Sequence, residues 1–340
     1  MNKFPAYKDI RQLWNDFNIS DPEGIAPEVF RFQYRENPVY QSFVDALKIN
    51  PQTVSSITEI PFLPVQFFKS HTVTTAGFTP EAVFESSGTT QTINSRHYIR
   101  DLSIYTQSFT KAFELFYGHP SGWCIIGLLP SYLERKHSSL VVMVDELIRQ
   151  THHADSGFYL YEQERLAATL QRLEQQQQKT LLIGVTFALL DFAEKFPMPL
   201  RSATVMETGG MKGRRHEMTR EEVHRILKNA FRLDNIHSEY GMTELLSQAY
   251  SKGNGRFHCP PWMKVLVRDT EDPLDVSKEG RYPLTGALNI IDLANIYSCS
   301  FIAVEDAGKL YPDGSFEVLG RIDNSDVRGC SLLAVVNCEL

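Results

Sequence analysis

Ala82-Val83-Phe84-Glu85-Ser86-Ser87-Gly88-Thr89-Thr90-Gln91-Thr92, with Arg96 and His97 close behind, is the stretch around which this chain is organised. Three apolar residues read as the end of a strand, and small hydroxyl side chains then crowd around one glycine. Gly88 permits a positive φ and close backbone approach, so the turn can curl N–H groups and hydroxyls around a phosphate while Arg96 adds charge. It is not a Walker loop, because no Gly-x-x-x-x-Gly-Lys-Ser/Thr is present. On its own such a cluster is most often an ordinary polar turn, and its meaning depends on the rest of the chain.

Two further blocks give it company. The first is Ser238-Glu239-Tyr240-Gly241-Met242-Thr243-Glu244; the second runs from Asp306 through Asp313-Gly314 to Gly320-Arg321-Ile322-Asp323. In this order the three resemble the adenylate-forming enzymes (acyl-CoA synthetases, luciferases, phenylacetate-CoA ligases), whose phosphate loop is usually Ser-Ser-Gly-Thr-Thr-Gly-x-Pro-Lys. Ser86 to Thr90 match it, Gln91 replaces a glycine, and Arg96 stands in for the lysine. The resemblance implies ATP and Mg²⁺. Ser86, Ser87, Gly88, Thr89 and Thr90 would hold the β- and γ-phosphates, and Thr243 with Glu244 would serve the α-phosphate and Mg²⁺, a hard cation that prefers oxygen ligands. Tyr240, next to Gly241, would flank adenine, Asp306 would accept the ribose hydroxyls, and Arg321 would reach the ribose or α-phosphate. The intervals from Asp306 to Asp313-Gly314 and Gly320-Arg321 favour Asp306 over Asp292 for the ribose, and Asp323 takes the hinge position. Asp313-Gly314 itself is a hairpin turn that serves as a ruler.

Composition sets the frame. The chain has 340 residues, 42% of them hydrophobic and 22% charged, enough to bury one large core or two smaller ones without a disordered excess of charge. A net charge of −7 argues against nonspecific binding to nucleic acid or anionic membrane, so a substrate anion must be met locally. The amino terminus, with Lys3, Lys8, Asp9 and Arg11, has no apolar signal region, no long uncharged run follows, and the expected location is the cytoplasm without membrane insertion. Five cysteines in no metal-ligand spacing fit reduced thiols.

Taken in order, residues 1–60 read as a helical layer, 61–250 as an α/β core for nucleotide and acyl group, and 251–340 as a β-rich subdomain. The helical pattern extends to about Ile57, and Pro61-Phe62-Leu63-Pro64-Val65-Gln66-Phe67-Phe68-Lys69 reads as a buried connector under the phosphate loop rather than a strand. Spacing predicts a helix over Asp101–Tyr117, buried strands at Trp123–Leu129, Leu181–Val185 and Ala203–Glu207, and a helix opening near Thr219 with Glu222 as its capping-box partner. Between the last strand and that helix, Gly209, Gly210, Lys212, Gly213, Arg214 and Arg215 could meet an anion or form a basic surface turn. His97, His137 and His237 have no metal spacing and read as hydrogen-bonded structural residues or pocket walls.

The stretches Pro130-Ser131-Tyr132-Leu133-Glu134-Arg135, Glu207 to Arg214 and Asp326-Val327-Arg328-Gly329-Cys330-Ser331 resemble the acyl-protein synthetase (LuxE) family of bacterial fatty-acid reductase complexes, over nearly the whole chain. The fold so implied is the large domain of an adenylate-forming enzyme, α/β with a helical amino-terminal layer and a β-rich carboxyl-terminal third, lacking the mobile carboxyl-terminal domain and its catalytic lysine. Lys212, with Arg214, is the candidate replacement for that charge. The family adenylates a fatty acid, transfers the acyl group to its own cysteine near the carboxyl terminus, and delivers it to a partner; Cys330 matches that nucleophile, with Cys338 as competitor. The implied partners are a carboxylic acid substrate and an acyl reductase, acyl carrier protein or other acyl acceptor. Two alternatives stand beside this reading: an acyl- or aryl-CoA ligase, which would not need Cys330, and a nonenzymatic nucleotide-binding subunit of an acyl-transfer complex.

Overall fold

Strands without alternation must be covered on both faces, and two segments of this chain are of that kind: Cys124–Leu128 (β4) and Thr180–Gly184 (β6), buried at every position. They are neighbours in a parallel sheet, and the computed structural model describes them among residues 22–86, 93–129, 137–159, 161–209, 218–270, 272–276 and 282–322. Gly157–Phe158 (β5), Ala203–Glu207 (β7), His237–Tyr240 (β8) and Ala249–Ser251 (β9) complete that sheet in the order β5-β4-β6-β7-β8-β9, parallel except for β9. Helices make the crossovers. Ser139–Thr151 joins β4 to β5, Gln163–Gln175 joins β5 to β6, Thr186–Lys195 joins β6 to β7, and Arg220–Phe231 joins β7 to β8. Register aligns Leu128, Gly184, Glu207 and Ser238 in one row, so the chain leaves β4, β6, β7 and β8 at a common carboxyl edge, where open α/β sheets place ligands.

The second sheet is antiparallel. Met263–Arg268 (β11), Leu284–Asp292 (β12), Phe301–Leu310 (β13) and Phe316–Arg321 (β14) follow one another as hairpins, and Arg256–Phe257 (β10) adds to β14. Asp313-Gly314 turns between β13 and β14, with Gly314 at φ 78°, where a side chain would be strained. Leu63–Pro64 (β1) pairs in parallel with β13, and Pro64 sits where its missing N–H costs no ladder bond in the interior. The predicted connector is thus a two-residue strand followed by a short helix, Phe67–Ser70. Its buried Phe68 meets the His97 ring edge-on at 5.6 Å.

Caps explain where the helices start. Asp101 accepts from the Ser103 amide to open Leu102–Tyr117, and Thr219 with Glu222 forms the expected capping box. At the amino-terminal side the described helices are Pro22–Glu36 and Pro38–Ala46, Asn37 capping the second. They stop short of Ile57 because Lys48 takes a left-handed conformation (φ 57°) and Pro51 follows. Gln33, fully buried, donates to the carbonyls of Asn295 and Ile296 and accepts from the Ser300 amide, fastening the first helix to the second sheet. Phe30, Tyr40, Phe62 and Phe301 pack ring against ring beneath it. No helix among the described residues is long and apolar enough to cross a membrane.

Candidate active site

The hairpin Ala82–Glu85 (β2) and Arg96–Ile99 (β3) carries the phosphate-loop candidate. Strand β3 is absent from the reading of the sequence, which placed Arg96 and His97 just behind the phosphate loop without assigning them to an element. Ser86 closes the hairpin: its amide donates to the Ser95 carbonyl at 3.1 Å and its hydroxyl accepts from the Ser95 amide at 2.9 Å. Ser87, Gly88, Thr89 and Thr90 lie outside the described residues, as do Gly210, Lys212, Arg214, Asp323, Cys330 and Cys338. Arg96 pairs with Glu85 at 3.1 Å on the outer side of the hairpin, an exposed pair that water weakens and a phosphate could replace.

From the hairpin the contact passes to the second block. His97 is buried, and its Nδ1 donates to the Thr243 carbonyl at 2.9 Å; burial pushes its pKa down to about 4, so the ring is neutral at physiological pH. Glu244 is buried too. Burial raises its carboxyl pKa, against the Ser95 hydroxyl and the charges of Lys69 and Arg321. The Glu244 carbonyl accepts from Asn295 Nδ2 at 2.7 Å. Just beyond, Asp292 accepts from the amides of Leu246 and Ser247 and from the Ser247 hydroxyl at 2.7, 3.0 and 2.5 Å, which fixes the descent from Glu244 into β9. Asp292 thus clamps backbone, whereas Asp306 faces Tyr240 and Arg321.

Tyr240 ends β8 with its hydroxyl donating to Asp306 Oδ2 at 2.8 Å, and its ring is held edge-on by Phe257 and Phe316. Asp306 stands opposite Arg321 across β13 and β14. Burial raises the Asp306 pKa while the Tyr240 hydroxyl and the Arg321 charge oppose the rise. That one guanidinium also favours the charged forms of Glu244 and Tyr240. Residues from three separate parts of the sequence therefore share one electrostatic neighbourhood at the carboxyl edge of the first sheet.

Glu207, the last residue of β7, organises the turn at Gly209. Its Oε2 accepts from the Gly209 amide at 2.7 Å and from the Thr186 hydroxyl at 3.2 Å, while Oε1 faces Arg220 at 3.4 Å and His224 at 3.6 Å. Burial disfavours the charge, but His224, Arg220 and the Gly209 amide outweigh it and hold the carboxyl down at about 2. Gly209 takes φ 74°, a conformation a side chain would resist. Ser238 contacts the same His224 nitrogen that faces Glu207, so the three are not a relay through opposite ring nitrogens. Arg220 also donates to the Val318 carbonyl and covers the Phe257 ring, tying the first sheet to the second beside Tyr240.

Glu239 points to the other face of β8. It is buried opposite Tyr250, near Tyr105 and Tyr117, and burial with the nearby Glu207 charge pushes its pKa up to about 8. Lys69, Glu207 and Glu239 were not singled out in the sequence as site residues; the signal for Lys69 was its place at the end of the aromatic Pro61–Lys69 run. The donor set fits Mg²⁺ by its chemistry: Glu244 offers a single hard carboxylate, and Mg²⁺ is commonly held by one or two carboxylates with substrate phosphates. Among the described residues no group of three or more His, Cys, Asp and Glu forms a separate metal site.

A family model for acyl-protein synthetase, LuxE, matches residues 25–338. No curated protein sequence matches the chain. Among solved structures, ATP-bound MatB from Rhodopseudomonas palustris superposes with a TM-score of 0.53 at 14% identity, covering 71% of this chain and 48% of MatB. The apo form of the same protein gives 0.51 at 14% identity, covering 84% of this chain and 58% of that one. The chain spans about half the length of the ATP-bound structure, and the likeness at this identity is one of fold.

Proposed function

This chain belongs to the acyl-protein synthetase (LuxE) family, and from that premise we propose that it activates a carboxylic acid, of fatty type, with ATP and passes the acyl group to its own Cys330. The observation that carries the proposal is the convergence of Tyr240, Asp306, Arg321 and Glu244 at the carboxyl edge of the parallel sheet, with Tyr240 and Asp306 joined at 2.8 Å. In the first step a substrate carboxylate oxygen attacks the α-phosphorus of ATP, and the bond to pyrophosphate breaks. Asp306, oriented by Tyr240, accepts the ribose hydroxyls; Arg321 meets the ribose or α-phosphate. The loop at Ser86–Thr90, with Arg96 at its edge, receives the β- and γ-phosphates, the Gly209-Gly210 turn contributes to binding the nucleotide's anionic part, and Tyr240 flanks the adenine. Glu244, with Thr243 beside it, would hold Mg²⁺, which when bound neutralises phosphate charge. Lys212, three residues after Gly209 in sequence, supplies the cation for the transition state. In the second step the Cys330 thiolate attacks the acyl carbonyl carbon, AMP leaves, and a thioester forms that a reductase, acyl carrier protein or other acceptor then takes.

Carboxylate-dependent ATP–pyrophosphate exchange, run across short, long and aromatic acids with Cys330→Ala beside the parent protein, tests this. Exchange that survives the substitution together with a hydroxylamine-labile acyl label that disappears is the expected result. Exchange without any covalent label would instead indicate release to a soluble acceptor such as coenzyme A, and no exchange with any acid would reject the activity.

A further inference from the structure

The carbonyls of Thr243 and Glu244 are both gripped from outside their own segment, by His97 Nδ1 at 2.9 Å and by Asn295 Nδ2 at 2.7 Å. A carbonyl only accepts, so each contact fixes the chemistry of the gripping side chain. His97 must carry its proton on Nδ1, which in the neutral ring leaves Nε2 as a bare acceptor. Asn295 must present its amide NH₂ to Glu244, which leaves Oδ1 as an acceptor elsewhere. Both His97 and Asn295 are 1% exposed, and both leftover acceptors are buried with no hydrogen-bond partner among the described residues. A small cavity of about 10 Å³ is lined by His97 and Asn295 together with apolar Leu246 and Ala294 and polar Asp101 and Ser298, among others. That is the space one water occupies, and a water has two protons to donate.

We propose that His97 and Asn295, bridged by one buried water that donates to His97 Nε2 and Asn295 Oδ1, form a brace that positions the Thr243–Glu244 backbone for nucleotide activation. The brace rests on the reading of Thr243 and Glu244 given above, and His97 and Asn295 act in it as positioning residues. Each end is anchored. The Asn295 carbonyl accepts from buried Gln33, and Phe68 stands edge-on to the His97 ring. The water satisfies two acceptors that would otherwise each cost the desolvation of an unmade hydrogen bond. A monovalent cation would also suit two acceptors, and Asp101 and Ser298 in the same lining carry further oxygens, so the ion-exchange arm of the test separates a cation from a water.

Protein labelled with ¹⁵N-histidine and free of ligands provides a readout independent of activity. Long-range ¹H–¹⁵N spectra should show His97 protonated on Nδ1, with Nε2 unprotonated and accepting a hydrogen bond, and a magnetisation-transfer peak from bound water to the ring. The signals should not respond to exchange of Na⁺ for K⁺ or NH₄⁺. His97→Asn keeps a donor near the Nδ1 position and removes Nε2. It should slow ATP–pyrophosphate exchange about 10-fold at saturating ATP and raise the half-saturating Mg²⁺ concentration, as loss of an outer support does at other metal sites. Asn295→Ala should act through the same water, so the double variant should be little worse than the worse single one. A protonated Nε2, a cation-dependent resonance, or additive effects of the two substitutions would each overturn the bridge. If the parent protein shows no exchange with any acid, the positioning role falls with the functional reading, and the spectra still decide whether the bridge exists.

Discussion

Glu239→Gln removes a titration while keeping the shape of the neutral carboxyl, and the structure sets the size of its effect. The folded Glu239 holds its proton to about pH 8, whereas the ordinary value is 4.5, so between these limits the folded chain carries a proton that the unfolded chain has lost. The sign follows: a carboxyl raised on folding makes stability fall as pH rises, by about 1.4 kcal/mol per unit at full slope. Above pH 6.5 His97 and His237, both lowered to about 4 chiefly by burial, are neutral in the folded chain. The unfolded imidazoles, ordinarily near 6.5, lose their remaining charge as pH rises further, a contribution of opposite sign that parent and variant share; Asp292, at about 6, has largely ionised. Glu239 alone differs between parent and variant, so their difference isolates its titration. From pH 6.5 to pH 8 the Glu239 titration should cost the parent about 1.5 kcal/mol, which corresponds to roughly 2 °C in Tm. Urea unfolding of parent and variant at a series of pH values measures the difference directly, because every other group cancels between them. The variant should approach the parent below pH 4.5, already exceed it at pH 6.5, and exceed it by about 1.5 kcal/mol more at pH 8. An equal decline in both proteins, or a variant less stable than the parent at pH 8, would show that the Glu239 carboxyl is not the neutral group described here.

Other outcomes follow from the same geometry. Tyr240→Phe loses one hydrogen bond to a carboxylate, worth about 1.5–3 kcal/mol, and should weaken ATP binding about 10-fold or more by calorimetry while leaving the helix content unchanged. At Gly241 a Cβ would press well inside contact distance of Glu239 Oε1, so Gly241→Ala should destabilise by about 1–3 kcal/mol in urea, and much of that loss should vanish in a Glu239→Ala background. Glu207 has the opposite pH sign to Glu239: held at about 2 against 4.5 in the unfolded chain, it stabilises above pH 4.5 by about 3 kcal/mol and loses this as pH falls toward 2, a slope that Glu207→Gln should abolish in acid unfolding curves. Glu244→Gln should reduce ATP–pyrophosphate exchange about 100-fold or more with little change in Tm, since the native carboxyl already incurs a burial cost that the amide escapes.

Much of the fold was legible because its determinants are local. The apolar runs at 124–128 and 180–184 contain no polar alternation, and Thr219 with Glu222 writes a helix start within four residues. The strands at 96–99 and 237–240 were harder, since polar His97, Ser238 and Glu239 are buried there through partners far away in sequence. The same distance hid the site's connections. Tyr240 and Asp306 could each be named by resemblance, but the bond between them spans 66 residues and no periodicity encodes it. Glu207 and Glu239 both stand near strand ends, and only opposite surroundings divide them, one ionised by His224 and Arg220 and the other kept neutral among aromatic rings.

The pairing of β1 with β13 also governs how this protein can be made. Leu63 waits for Ile302, and Gln33 waits for Ser300, so the amino-terminal helices have no completed surface to bury against until the ribosome has translated some 240 further residues. Over that interval Phe30, Tyr40 and Phe62 remain without Phe301, their ring partner. The nascent chain should therefore depend on chaperone holding late into synthesis, and a slow codon tract near its middle would lengthen the exposure without helping either sheet to close.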